Sequence, residues 1–172
     1  MAIKVGDRLP DGEVEEHNET ELPGCPIGPT KHQVAELAKG KKIVIIGLPG
    51  AFTPTCSAKH VPSYVQNYDA LREKGVDEIW CISVNDVWVM GAWGRDQHAV
   101  GKVRMLADGQ ADYTKKLGLE LDMTGRGWGI RARRYSLLVE DGVVKKVNVE
   151  APDGAPLDLR EAAGLGGMVD YL

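Results

Sequence analysis

The sequence predicts an α/β fold with a mixed central sheet flanked by helices, and three observations carry that prediction. The apolar run Lys42-Ile43-Val44-Ile45-Ile46 is followed, after a short loop, by apolar residues recurring every three or four positions. A second run, Glu78 to Val84, is followed by another helical stretch and then by a third short run, Val103 to Ala107. Finally, two apolar segments flank Glu140-Asp141-Gly142, and an Asp-Gly pair in that setting marks a hairpin. Strands that alternate with helices pair in parallel, and the hairpin adds antiparallel partners.

In chain order, residues 1–40 open loosely. Glu13, Glu15, Glu16, Glu19 and Glu21 are interspersed with little apolar content, and Pro23-Gly24-Cys25-Pro26-Ile27-Gly28-Pro29 is loop punctuation with Cys25 exposed. Thr30 is placed to cap a short helix from Lys31 to Ala38, ended by Gly40. Lys42 to Gly47 is unbroken apolar sequence, as in a strand covered on both faces. A helix from about Thr55 to Lys74 puts Ala58, Val61, Tyr64, Val65, Tyr68 and Leu71 on one face, with a kink expected at Pro62. Glu78 to Val84 is the next strand, and Asn85-Asp86 caps a helix from about Val87 to His98. Val103 to Ala107 is a short strand, Ala111 to Leu117 a short helix, and 122–130 a glycine-rich loop. The hairpin pairs Arg134–Val139 with Val143–Val149, and a last helix is expected from about Leu157. This order matches the thioredoxin-like architecture.

A chain of 172 residues with 43% hydrophobic and 27% charged residues is expected to form one domain, spanning 1–172, with a sizeable core. A net charge of −4 leaves no nucleic-acid footprint. No stretch approaches the ~20 apolar residues of a membrane span, and Met1 to Pro10 lacks the apolar core of a signal peptide. A cytoplasmic location is the expectation. The three cysteines, Cys25, Cys56 and Cys81, are too few and too far apart for a disulfide framework or a zinc site.

The chemistry gathers at Gly47-Leu48-Pro49-Gly50-Ala51-Phe52-Thr53-Pro54-Thr55-Cys56-Ser57, between the first core strand and the helix. Cys56 falls in the first helical turn, where free N–H groups and the helix dipole favour an anion. An ordinary thiol, with a pKa of ~8.5, is only a few per cent thiolate at neutral pH. Cleaving a peroxide needs an ionised sulfur, an in-line oxygen and stabilisation of the leaving oxygen. Thr53, three residues earlier, offers a hydroxyl that donates to the sulfur or the peroxide while accepting from a neighbour. Pro49 and Pro54 stiffen the loop, and Gly50 leaves backbone open to a ligand. The missing cation must come from afar, and Arg134 is the candidate because an arginine opening an apolar strand is otherwise unexplained.

Pro49-x-x-x-Thr53-x-x-Cys56 resembles the active-site pattern of the peroxiredoxins. The longer Pro49-to-Ser57 stretch resembles their type II, atypical subfamily. So do Ile82-Ser83-Val84-Asn85-Asp86, Ala92-Trp93-Gly94, Lys102 to Asp108 and Arg133-Arg134-Tyr135, a likeness running from Ile3 to Glu150. The resemblance implies that Cys56 attacks peroxide, that Thr53 and Arg134 bind and polarise it, and that Pro49 shields the sulfenic acid. It implies hydrogen peroxide and alkyl hydroperoxides as substrates, a homodimer, and no metal or organic cofactor. The chain departs from those members that carry a resolving cysteine after the final strand, for no cysteine follows Cys81. Reduction by an external thiol is then implied, from glutathione or glutaredoxin first and thioredoxin second.

The remaining residues have plainer readings. Cys81 lies mid-strand and is expected in the core, and Arg131 and Arg133 are expected in solvent. His60, one turn after Cys56, either tunes the site or packs. Trp80, Trp88, Trp93 and Trp128 are core by default, with Trp88 and Trp93 also suited to a dimer face and Trp128 to a pocket mouth. Two other function classes stand beside the peroxidase. One is a redox-sensing or chaperone-like binding module; the other is a dithiol oxidoreductase, which lacks its CxxC.

Overall fold

The computed structural model describes residues 1–19 and 27–150, and among these seven strands form one sheet. They are β1 (Glu13–Asn18), β2 (Gly28–Gln33), β3 (Lys42–Leu48), β4 (Glu78–Ser83), β5 (Val103–Ala107), β8 (Tyr135–Glu140) and β9 (Val143–Val149). Two more, β6 (Glu120–Asp122) and β7 (Ile130–Ala132), make a separate small ribbon. The order across the large sheet is β2-β1-β5-β4-β3-β8-β9. The central β3, β4 and β5 are parallel, while β8, β9, β1 and β2 join antiparallel.

Alternation along these strands sends side chains into two cores. Val44, Ile46, Leu48, Ile79, Cys81, Met105 and Leu138 face one side. There they meet α2 (Val61–Gln66), α3 (Tyr68–Glu73) and α4 (Val87–Asp96). Ile43, Ile45, Trp80, Ile82, Leu137 and Val139 face the other, against α1 (Val34–Ala38) and α5 (Asp112–Leu117). The central strands are buried on both faces, as their unbroken apolar sequence requires.

Gly47 marks a close approach. A Cβ there would lie 2.0 Å from the Tyr135 ring, its cross-strand partner, so β3 and β8 are held together through a bare backbone.

The structure departs from expectation in four places. The acidic stretch expected to be loose is β1, a strand that buries Val14 and holds its partners by charge: Arg104 and His32 both contact Glu16. Polar pairing leaves no apolar alternation for a sequence pattern to detect. The expected helix from Lys31 begins only at Val34, because Gly28–Gln33 pairs with β1, and Thr30 accepts from Asn18 Nδ2 instead of capping. The long helix of 55–74 is two pieces, broken at Asn67, whose side-chain amide donates to the Ser63 carbonyl. Part of the glycine-rich loop is the β6–β7 ribbon, closed by a 3-10 turn at Thr124–Arg126. The expected C-terminal helix and Cys25 lie outside the described residues. Among those described, no helix is long and apolar enough to cross a membrane.

Candidate active site

Parallel strands end together, and their ends carry the site. The chain leaves β3 at Leu48, crosses Pro49 to Thr53, and enters a helix at Pro54. Proline at a helix start loses nothing, since its missing N–H would have had no partner there. Cys56 follows in the first turn and opens a π-helical segment, Cys56–His60, in which the Val61 N–H reaches the Cys56 carbonyl. The widened turn brings residues four apart nearly into line, and both Cys56 and His60 are buried against the sheet.

The cation arrives from β8. Because β8 runs antiparallel to β3, with Tyr135 opposite Gly47, the residue before Tyr135 stands at the end of β3 from which Cys56 emerges. That residue is Arg134. Alternation puts it with Ser136 and Leu138 on the face covered by α2, α3 and α4. Arg134 is 6% exposed, and its Nη1 and Nη2 each lie 3.5 Å from Cys56 Sγ. Nη1 also donates to His60 Nδ1 at 2.9 Å. A guanidinium has no acceptor, so Nδ1 carries no proton and the neutral ring holds its proton on Nε2. On its other edge, Arg134 Nε is 3.7 Å from a carboxylate oxygen of Glu150, and the Glu150 N–H donates to the Arg134 carbonyl. A buried guanidinium needs negative charge and acceptors nearby, and the Glu150 carboxylate and the Cys56 sulfur face it from opposite sides.

Thr53 is half-buried, and its hydroxyl donates to the Gly50 carbonyl at 2.7 Å. With its proton on the Gly50 carbonyl, Thr53 Oγ1 keeps lone pairs with which to accept a further hydrogen bond. The loop is fixed further by the Ala51 N–H donating to Asn85 Oδ1 at 2.9 Å, an oxygen that also receives Ser83 Oγ at 2.6 Å. Trp93 Nε1 donates to Ser57 Oγ at 3.0 Å and ties the π-helical segment to α4. Pro49 is half-buried, and its carbonyl faces Arg131 Nη1 at 3.5 Å.

Arg131 and Arg133 were expected in solvent, and neither guanidinium is free there. Arg131 spans three carbonyls, and Arg133 Nη2 donates to the Glu150 carbonyl. Acceptors on separate loops leave no trace in local sequence, so only the fold shows them. Cys81 is fully buried, and burial pushes its thiol well up, with the nearby Cys56 adding to that and Arg134 opposing it. Trp80 and Trp93 are core residues, so Trp93 does not belong to an exposed face; Trp88 and Trp128 are exposed. Among the described residues, no group of three or more His, Cys, Asp or Glu side chains is placed to hold a metal.

The family model described as Redoxin matches residues 4–164. Peroxiredoxin-2B of Arabidopsis thaliana is 46% identical over 149 residues, covering 87% of this chain and 88% of that one. The chain also resembles the solved structure of reduced Prx3 from Vibrio vulnificus in complex with H2O2. That match has a TM-score of 0.86 and 41% identity over 98% of each chain. A Burkholderia cenocepacia structure provisionally described as a thioredoxin reductase matches with a TM-score of 0.94 and 49% identity, over 100% of this chain and 99% of that one. No CxxC dithiol of the kind used in disulfide exchange occurs in this sequence.

Proposed function

Because this chain belongs to the peroxiredoxins, and is therefore a thiol-dependent peroxidase, we propose that Cys56 is the sulfur that attacks the peroxide. The observation that carries this assignment is the buried Arg134 fork, with both terminal nitrogens 3.5 Å from Cys56 Sγ. The peroxide enters neutral, as HOOH or ROOH. Thr53 Oγ1 accepts the peroxide O–H, which turns the terminal oxygen toward the sulfur. The thiolate attacks that oxygen, the S–O bond forms, and the O–O bond breaks. Negative charge passes from sulfur to the leaving oxygen, and Arg134 stabilises both ends of that transfer. The leaving oxygen takes a proton from water and departs as water or alcohol, leaving Cys56 as a sulfenic acid. Pro49 shields that acid from further oxidant.

Regeneration uses an external thiol. Its sulfur displaces hydroxide from the sulfenic acid to give a mixed disulfide and water, and a second thiol then releases Cys56. This assignment rests on the absence of cysteine after Cys81 and on the complete burial of Cys81. Glutathione or glutaredoxin is the proposed reductant, with thioredoxin the second choice. Phe52, Trp88 and Trp128 are exposed, and we assign such apolar surface to a homodimer contact. We read 1–172 as one domain working in the reducing cytoplasm. One relative, Peroxiredoxin-2E of Arabidopsis thaliana, is chloroplastic.

Stopped-flow reduction of hydrogen peroxide tests the assignment. Cys56→Ser abolishes consumption and Cys81→Ser keeps most of the peroxide-cleaving rate; equal loss from both overturns it. Parallel turnover assays with glutathione plus glutaredoxin and with thioredoxin identify the reductant.

A further inference from the structure

Three chain segments converge on one side chain beside the site. Arg131 Nε donates to the Trp128 carbonyl at 2.9 Å. Its Nη1 donates to the Val84 carbonyl at 3.3 Å and to the Pro49 carbonyl at 3.5 Å. The first acceptor belongs to the loop before β7, the second to the loop after β4, and the third to the loop that delivers Cys56. Gly50 packs directly on this guanidinium, since a Cβ at Gly50 would lie 2.8 Å from Nη1. The Gly50 carbonyl in turn holds the Thr53 hydroxyl proton. An unbroken line of contacts thus runs from Arg131 through Pro49 and Gly50 to the oxygen lone pairs of Thr53.

We infer that Arg131 is a positioning residue: by clamping the Pro49 carbonyl and packing against Gly50 it fixes the direction in which Thr53 accepts from the peroxide. The inference rests on Cys56 and Thr53 acting as set out above. A planar fork can reach acceptors on separate loops at once, whereas an ammonium concentrates its charge at one point. Arg134, not Arg131, touches the sulfur, so loss of the clamp misdirects the peroxide while the cation in contact with Cys56 stays in place. A misplacement of about 1 Å in a reacting geometry is enough for roughly a hundredfold loss of rate.

The test compares wild type with Arg131→Lys, Arg131→Met and Gly50→Ala, each measured for peroxide reduction by stopped flow and for alkylation of Cys56 by iodoacetamide. Alkylation needs the thiolate but not Thr53. Gly50 lies outside the positive-φ glycines, so alanine fits its backbone and chiefly crowds the clamp, its Cβ 2.8 Å from Arg131 Nη1 against an ordinary 3.4 Å from the Thr53 methyl. We expect the peroxide rate constant to fall about ten- to a hundredfold in all three. Alkylation should stay within about twofold of wild type, as expected when an oriented partner and not the nucleophile is disturbed. Arg131→Met should add little in a Thr53→Val background, because coupled residues are non-additive. Peroxide rates near wild type, an equal fall in alkylation, or full additivity with Thr53→Val each overturn the inference. Wild type reacting no faster than free cysteine would overturn the peroxidase role of Cys56 and this inference with it. A fast wild type beside equally fast Arg131 variants overturns the inference alone.

Discussion

A hydroxyl that has given its proton away can only accept, and that constrains Thr53 more than its position does. Thr53→Val keeps the shape and removes the lone pairs, so peroxide reduction should fall about a hundredfold, the scale of a lost oriented polar contact in a reacting site. Alkylation of Cys56 should be unaffected, and Thr53→Ser should retain most of the peroxide rate. Arg134→Gln should behave differently and slow both reactions, because its fork contacts the sulfur itself. Comparing the two reactions in the two variants checks both statements. At this scale the sequence was partly transparent. Pro49, Thr53 and Cys56 stand within eight residues and could be read as one motif. Arg134 was found by its incongruity at the head of an apolar strand. The polarity of Thr53, the tautomer of His60 and the carbonyl clamp of Arg131 were not readable, since each depends on an atom brought in by another segment.

Elements were legible where apolar periodicity was strong. The central strands and α4 follow from their sequences, and Asp86 caps α4 by accepting the Val89 N–H. The π-helical segment had no signature beyond the neighbouring Pro62, and β1 was hidden because charge replaces apolar alternation there. Two element-scale predictions follow from packing. Gly47→Ala drives a methyl into the Tyr135 ring between two buried strands, with neither side able to give, and should destabilise the fold by about 3 kcal/mol or more. Trp93→Phe removes the hydrogen bond to Ser57 and leaves a cavity in the core, and should cost roughly 2 kcal/mol or more. Chemical denaturation measures both.

At the scale of the whole molecule, one charge network sews the polar edge of the sheet to its centre. Glu16 on β1 contacts Arg104 Nη2 at 2.6 Å on β5 and His32 Nε2 at 3.0 Å on β2. Arg104 also reaches Glu78 on β4 at 3.2 Å, which in turn accepts Trp80 Nε1 at 2.7 Å. Burial alone would push Glu16 upward, but His32 and Arg104 hold it down, from an ordinary 4.5 to about 2. A carboxylate held low stabilises the fold fully above its unfolded value. That contribution drains away as pH falls from about 4.5 toward 2. Glu16→Gln should therefore lower stability by roughly 2–3 kcal/mol at neutral pH. The gap from wild type should close as the pH is lowered through that window. Urea unfolding across a pH series shows whether it does.

The sulfur and its guanidinium are separated by 78 residues. Between them lie the parallel strands β4 and β5, the four helices α2 to α5 and the β6–β7 ribbon, and they meet only once the last hairpin has zipped onto β3. Closing so long a loop is a late step in assembly. A chain still being synthesised, or one caught half-folded, carries an ordinary thiol with no cation beside it. On the assignment proposed above, sensitivity to oxidant is withheld until the molecule is finished, and the onset of Cys56 reactivity during refolding should serve as a clock for the docking of β8.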